Sequence, residues 1–525
     1  MRIDHFRIEN YRSIERVDVN FSSGLLVLVG ENNSGKSNIM SALKHFFDPP
    51  KKSEVNDEVF HRKDTTKRAT ITVWFANLSE SDKRSFKKYL LDDKIIVREE
   101  TWLDQKDGFT TEVNGALSID SSGKYEFSDT KFEGFQKSSH PNMPEFLPVP
   151  PIRNITEETG RSSKVFVKIL DQMINSIPSE HLEKLDATTK QLDKLVNRVA
   201  GSEGERIGAL DTIERELSGM FCEVMPGSSL SFSYPKFETI KLLRTPEISV
   251  NDGITTDVTR KGQGLQSSLY FTIFRFYAEK ILKPIGITGD KRPLIFAIEE
   301  PELYLHPHIQ RVMLRTLQKI SDIDQVILST HSPYFVDMIN HDTIGVVRKD
   351  PNATTITQTA ALFSPQDKQF FKLVTEFDAN TNELFFGRKV IFVEGPGDRF
   401  ALLWSARLLG MQLDEKGVSV ISCGSKDSMP FFLKMANAFK IRYSVMFDTD
   451  IDRPGSEQKS KLVTDSLDST LCIHVEKLDP RLENEIGVST EGHKLRPTSV
   501  IRIFETYGQE QIPTKLKTIL EKTLT

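Results

Sequence analysis

Leu25-Leu-Val-Leu-Val29-Gly30-Glu-Asn-Asn-Ser-Gly35-Lys36-Ser37 runs an apolar stretch straight into a loop bounded by glycines and closed by a lysine and a hydroxyl. The spacing is G-x4-GK[ST]: glycines let backbone N–H groups wrap phosphates, the lysine reaches the β and γ oxygens, and the hydroxyl ligates Mg²⁺. The apolar run reads as a buried strand, and a helix should open at Gly35 and continue through Ser41-Ala-Leu-Lys-His-Phe-Phe. The motif requires that setting of strand, loop and helix. Gly30, Asn33, Gly35, Lys36, Ser37 and Asn38 are therefore expected to bind a nucleoside triphosphate, as in a P-loop ATPase.

Around this loop, Ile3 to Ile8, Ala69 to Phe75 and Ile95 to Thr101 also read as strands. From about Ser162 to Met220 the periodicity turns helical, with Val165, Ile169, Met173 and Ile177, then Leu182, Leu185, Leu192, Leu195 and Val196. Strands are expected again at Ser229 to Phe232, Ile240 to Leu243, Leu294 to Glu299 and Gln325 to Ser329, with a helix from Gln266 to Leu282. After a join near Asp378 to Arg388, strands at Val390 to Glu394, Val418 to Ser422 and Tyr443 to Phe447 alternate with helices from Arg399 and Met429. Such alternation predicts a parallel sheet covered on both faces.

A chain of 525 residues exceeds one ordinary core, so several globular units are expected. Hydrophobic residues at 38% and charged residues at 27% place it among folded globular proteins rather than disordered chains or coiled-coil rods. The longest apolar runs fall far short of the roughly 18 residues of a membrane span. That removes a membrane-transporter reading of the ATPase motifs. Met1-Arg-Ile-Asp-His-Phe-Arg-Ile alternates like a strand and lacks the apolar core of a signal peptide, so a cytoplasmic location is expected. The three cysteines, Cys222, Cys423 and Cys472, are too far apart for a zinc ribbon. With a net charge of -5 there is no general basic coat, and nucleic-acid binding has to be argued from sites.

Leu294-Ile-Phe-Ala-Ile298-Glu299-Glu300-Pro301-Glu302 looks like a Walker B strand that opens its acidic pair with Glu. Glu299 would hold the Mg²⁺ shell and Glu300 would polarise the attacking water, since hydrolysis needs one group on the metal and another on the nucleophile. Leu328-Ser-Thr-His331-Ser-Pro333 follows another apolar strand, and His331 resembles the switch histidine that contacts the γ-phosphate in ABC ATPases. Arg260-Lys-Gly262-Gln263-Gly264 precedes a helix where those enzymes carry their signature motif, and the match is loose. Free N–H groups around Gly262 and Gly264 at that helix N-terminus would bind the γ-phosphate held by a partner subunit. Lys36 and Glu300 are separated by far more chain than one uninterrupted P-loop unit needs, so an insertion is required.

A second acidic constellation follows. Lys389-Val-Ile-Phe-Val-Glu394-Gly395-Pro-Gly397-Asp398 ends an apolar strand with a carboxylate and opens a helix with another. Tyr443-Ser-Val-Met-Phe447-Asp448-Thr449-Asp450 ends a second strand with alternate aspartates, which share one face. Clustered carboxylates repel unless a cation neutralises them, and hard oxygen donors favour Mg²⁺ or Mn²⁺.

The pair E-G-x2-D and D-x-D resembles the Toprim domain of topoisomerases, primases and OLD (overcoming lysogenization defect) nucleases. The order of ATPase, helical insert, ATPase again and Toprim is similar to the OLD arrangement over nearly the whole chain. The resemblance implies an α/β fold: an ABC-type P-loop ATPase with an inserted helical dimerisation element, followed by a Toprim α/β domain. The corresponding ranges are 1–160 and 223–380 for the ATPase halves, 161–222 for the insert and 381–525 for Toprim. It implies metal ligands at Glu394, Asp398, Asp448 and Asp450, with Glu483, and less firmly Glu485, completing a second metal position. Lys494 resembles the OLD lysine that stabilises charge on the scissile phosphate.

Activity by this resemblance is ATP-linked cleavage or nicking of DNA by an endonuclease with two divalent ions, Mg²⁺ or Mn²⁺. A homodimer or larger assembly, antiphage defence, and in some members a helicase or reverse-transcriptase partner come with it. Asp398 stands where many OLD proteins carry Glu, and its shorter carboxylate would hold a metal differently. The rival reading is an SMC-like DNA-repair ATPase that binds duplex ends without cutting. A topoisomerase would need a nucleophilic tyrosine on a further domain, and a primase would bring a zinc module that the cysteines cannot supply.

Overall fold

The computed structural model describes residues 1–132, 143–149, 174, 177–197, 206–228, 230–235, 238–239, 243, 248–276, 293–360, 362–364, 379–488 and 497–525. Contacts divide the chain into two compact units, Met1–Pro151 with Gly289–Thr525, and Ile152–Thr288.

In the first unit, a mostly parallel sheet has the strand order Thr354–Thr357, Ile344–Lys349, Leu25–Val29, Gln325–Thr330, Leu294–Glu299, Glu145–Val149. Its central strands are buried along almost their whole length, so their apolar runs are continuous rather than alternating. The Glu145–Val149 strand contains Pro148, tolerated because this strand lies at the edge. That proline hides the strand from pattern reading. An antiparallel sheet is built on Ile14–Asn20, Arg2–Tyr11, Ala69–Ala76, Lys94–Asp104 and Gly108–Ile119 in that order. The first and last of these five also escape the sequence reading.

The helix Lys36–Phe47 buries Ile39, Met40, Leu43 and Phe46 on one face. These pack in one core with Phe6, Ile8, Val73 and Phe75 of the antiparallel sheet and with Leu26, Leu28, Ile295 and Ile327 of the parallel sheet. The helix stops at Asp48, ahead of Pro49-Pro50, because a residue before proline is disfavoured in helical geometry.

A third sheet is wholly parallel, in the order Val418–Ser422, Lys389–Val393, Arg442–Asp448, Cys472–Leu478. The helix expected from Arg399 starts earlier, at Pro396, because proline suits the first turn and the Asp398 carboxylate accepts the Gly395 N–H at 2.8 Å. Ile391, Val393, Met446 and Leu478 of this sheet share a core with Ala401, Leu402, Val500, Phe504, Leu516 and Ile519.

The second unit contains the helices Ser179–Val196, Gly208–Val224 and Gln263–Phe276. Arg206 anchors the first two by donating to the Val196 carbonyl and to the Asp211 and Glu214 carboxylates at 2.7 Å. Leu182 to Val196 lie on the first helix, whereas Val165, Ile169 and Met173 fall outside the described residues. The strand expected at Ser229 to Phe232 is not formed by its described residues 230–232, and Thr239 and Leu243 are helical. The helix expected from Gln266 already begins at Gln263, with Gly264 inside its first turn.

Two P-loop glycines are required by space as well as by conformation. Gly30 has φ +149, and a Cβ there would lie 2.1 Å from the Val347 carbonyl oxygen; Gly35 has φ +110, and its Cβ would lie 2.2 Å from Thr354 Oγ1. Gly30→Ala should therefore destabilise the fold by about 1–3 kcal/mol, as forced non-glycine strain does. Thermal unfolding checks this, and an unchanged midpoint would show that the loop relaxes freely.

Candidate functional site

Strand pairing brings the ATPase motifs together. Glu299 is in register with Ser329, and Leu28 pairs with that same residue from the other side. The P-loop, Glu299-Glu300 and His331 therefore leave the carboxyl ends of three neighbouring parallel strands, where functional groups gather in open α/β sheets. Lys36 is 5% exposed and donates to the Gly30 and Glu31 carbonyls at 2.9 Å. The Ser37 hydroxyl lies near enough to the Glu299 carboxyl to favour its charged form, so the hydroxyl and carboxylate expected around Mg²⁺ are neighbours. Glu300 takes φ +45, a strained conformation for a non-glycine residue, and its carboxylate lies 4.0 Å from His331 Nε2.

Asn33 is exposed with φ +62. Asn38 instead points to Ser13, donating to its Oγ at 2.6 Å. The sequence reading assigns nothing to Glu302, yet its carboxylate accepts the His331 backbone N–H at 2.5 Å and fixes the loop carrying the histidine. The signal was there in the third acidic residue of Glu299-Glu300-Pro301-Glu302. Gly262 and Gly264 belong to the other unit, at the head of the Gln263–Phe276 helix.

Burial sets the protonation of these groups. It raises the Glu299 and Glu302 carboxyls above the usual range, with Ser37 and the His331 N–H opposing. It lowers the His331 imidazole, helped by the Lys36 charge. It also lowers the Lys36 ammonium to about 8, against the pull of Glu300, Glu302 and Glu31.

The second constellation also converges. One oxygen from each of Glu394, Asp448 and Asp450 lies within 4.8 Å of the others, and all three residues are buried. Parallel pairing of Lys389–Val393 with Arg442–Asp448 brings the strand ends side by side. Asp448 N–H donates to Glu394 Oε2 at 3.4 Å, and Asp448 Oδ1 accepts Leu482 N–H at 3.2 Å. Three hard oxygen donors converging in a buried spot suit Mg²⁺ or Mn²⁺.

Asp398 is buried and uses one oxygen to cap its own helix. Glu483 is buried on the short helix Leu482–Glu485. Glu485 pairs with Lys515 at 2.6 Å and accepts the Asp479 N–H at 3.4 Å. Lys494 lies outside the described residues. Two basic residues escape the sequence reading. Lys426 Nζ stands 3.1 Å from Asp450 Oδ2, and Arg481 Nε stands 2.7 Å from Asp450 Oδ1. Both follow strand or turn signals, Lys426 after Val418 to Ser422 and Arg481 inside Asp479-Pro-Arg481, so position alone could have marked them.

Holding phosphate requires the charged form of Lys36, so binding ATP above pH 8 must take up a proton. ATP affinity is then full below the free-state pKa and falls as pH rises through it, by about tenfold between roughly pH 7 and pH 9. Calorimetric titration at the two pH values checks this. Equal affinities would mean an ammonium that stays charged throughout.

Residues 1–336 match the family model described as AAA ATPase domain. Residues 385–450 match the overcoming lysogenization defect protein-like TOPRIM domain. An OLD nuclease from Thermus scotoductus is 29% identical over 282 residues, which cover 50% of this chain and 51% of that protein. The Old nuclease of Escherichia phage P2 is 23% identical over 473 residues, covering 86% of this chain and 77% of its own length. Endonuclease GajA of Bacillus cereus is 20% identical over 419 residues, covering 76% and 66%. The chain thus spans about half the length of the Thermus protein and larger shares of the other two. With the first model covering well over half of the chain and the second matching behind it, the chain belongs to the AAA ATPase domain family, in the OLD-type arrangement that adds a Toprim domain.

Proposed function

We propose that this chain is an ATP-binding, divalent-metal-dependent endonuclease that nicks or cleaves DNA, working in the cytoplasm in antiphage defence. The observation that carries the reading is the convergence of Glu394, Asp448 and Asp450 within 4.8 Å at neighbouring strand ends. The relatives named as nucleases support it. Among the described residues no helix is long and apolar enough to cross a membrane.

Glu394, Asp448 and Asp450 would hold one Mg²⁺ or Mn²⁺, backed by Asp398, and Glu483 would complete a second position. Glu485 is the weaker candidate, being engaged by Lys515. When bound, the two ions supply an activated water and neutralise charge on the leaving oxygen. The chain's own part is to aim the carboxylates: the Leu482 N–H orients Asp448, and the Asp448 N–H orients Glu394. Lys494 would face the scissile phosphate. In the ATPase, Lys36 and Ser37 would hold the phosphates and Mg²⁺ with Glu299, Glu300 would orient the attacking water, and His331 would contact the γ-phosphate. Gly262 and Gly264 would approach the γ-phosphate held by a second copy. A helicase or reverse-transcriptase partner would extend the same defence role.

Asp448→Asn keeps the shape and removes the charge. It should abolish plasmid nicking in Mg²⁺ and in Mn²⁺ while leaving ATP hydrolysis near the parent rate. Nicking at the parent rate would remove the Toprim assignment and favour an ATPase that binds DNA ends without cutting.

Self-association is proposed to run through the helical unit. Leu185 and Leu192 on one helix, and Ile213, Leu217, Met220 and Phe221 on the next, recur at helical spacing and are each more than 40% exposed. Apolar stripes of this kind are covered by partners. Leu217→Lys combined with Phe221→Lys should shift the oligomer to monomer in sedimentation velocity without loss of helicity. An unchanged assembly would place the interface elsewhere.

A further inference from the structure

Lys426 follows the Val418–Ser422 strand, which pairs in parallel with the Lys389–Val393 strand that leads into Glu394. Its side chain is only 5% exposed. The ammonium donates to Asp450 Oδ2 at 3.1 Å and to the Thr449 carbonyl at 3.4 Å, with the Phe447 ring 5.9 Å away. A lysine ammonium is strongly hydrated, so burying it is tolerated only against a fixed counter-charge. Here that counter-charge is Asp450, a member of the carboxylate cluster.

Of the other two cations near Asp450, Arg453 stands 3.7 Å from Oδ1 with its side chain exposed, and Arg481 is already balanced. Arg481 donates to Asp450 Oδ1 through Nε and to both oxygens of Asp452 through Nη2, at 2.5 and 2.6 Å. Lys426 has no carboxylate other than Asp450 within ion-pair distance among the described residues. Glu394, Asp448 and Asp450 carry three negative charges, Lys426 one positive and a divalent ion two. Whatever the full ion and carboxylate count, the loaded cluster would be one charge less negative with Lys426 than without it. A carboxylate has four lone-pair positions, so Asp450 can face an ion while keeping its basic neighbours, at the cost of repulsion between ammonium and ion.

We propose that Lys426 is the counter-charge of the Asp450 arm. It weakens the grip of the carboxylates on a divalent cation and makes the loaded centre one charge less negative toward an incoming phosphodiester. This rests on the metal-centre reading above and adds a residue that sets its affinity. Losing the charge should therefore move two measurements in opposite directions. Misfolding would not do that.

The test is Mn²⁺ binding to the full chain, followed by electron paramagnetic resonance, with plasmid cutting at saturating Mn²⁺ as the second readout. Lys426→Gln and Lys426→Met, two neutral side chains of different polarity, should bind Mn²⁺ at least about tenfold more tightly than the parent. Both should cut at least about tenfold more slowly. Lys426→Arg keeps the charge and should bind Mn²⁺ like the parent, and thermal unfolding shows which variants are folded. Parent-like or weaker Mn²⁺ binding in the folded neutral variants would overturn the proposal and leave Lys426 a structural ion pair. Unreduced cutting would overturn its phosphodiester part. If the parent itself shows no Mn²⁺ binding that Asp448→Asn removes, the metal-centre reading falls, and this inference with it.

Discussion

Parallel strands buried on both faces have no room for charge along their length. Leu25–Val29, Leu294–Glu299 and Gln325–Thr330 are buried almost end to end, and Val390 to Val393 are fully enclosed. Every polar group these segments carry is therefore displaced to the strand ends, and parallel pairing puts those ends on one edge. Both candidate sites follow from that constraint. The P-loop, Glu299-Glu300 and His331 leave one such edge, and Glu394 and Asp448 leave another.

Concentrating charge at an edge creates an electrostatic problem, which the two sites meet differently. At the nucleotide site Lys36 stands among Glu31, Glu300 and Glu302, and burial lowers its ammonium even against their attraction. The loop is shaped around its own carbonyls, which accept from that ammonium. In the Toprim centre three carboxylates converge, and two buried basic side chains engage one of them, Asp450. Arg481 also binds Asp452, which raises its own pKa and ties the turn after Asp450 to the segment before Leu482. That segment in turn orients Asp448 through the Leu482 N–H.

Within the first unit the two edges are physically joined. Arg388, one residue before the Lys389–Val393 strand that leads into Glu394, pairs with the P-loop residue Glu31 at 2.6 Å. Asn382 donates to the Pro333 and Val336 carbonyls just after the histidine loop, and Arg348 donates to the Phe439 carbonyl. The exposed Arg388–Glu31 pair contributes little stability by itself. The part-buried bonds from the Asn382 and Arg348 side chains to backbone carbonyls join the Toprim sheet to the ATPase more firmly.

What the sequence by itself determined is the set of local elements whose chemistry is written in consecutive residues. The P-loop between strand and helix, the acidic strand ends and the α/β alternation after Arg388 were all legible from apolar runs followed by glycine or carboxylate. The edge strand with Pro148 was not legible, because its pairing comes from the neighbouring Leu294–Glu299 strand rather than from its own pattern. Glu302, Lys426 and Arg481 stood at positions the sequence could mark, but the partners that give them their roles were not legible. Lys426 meets Asp450, and Arg481 meets both Asp450 and Asp452, across gaps in sequence that only strand order closes. Asp398 and Glu485 carry the same side-chain chemistry as the clustered acids, yet one caps a helix and the other pairs with Lys515. Carboxylate identity is local, whereas the cation or N–H that each carboxylate faces depends on which distant segments the packed sheet places beside it, and only the tertiary structure decided that.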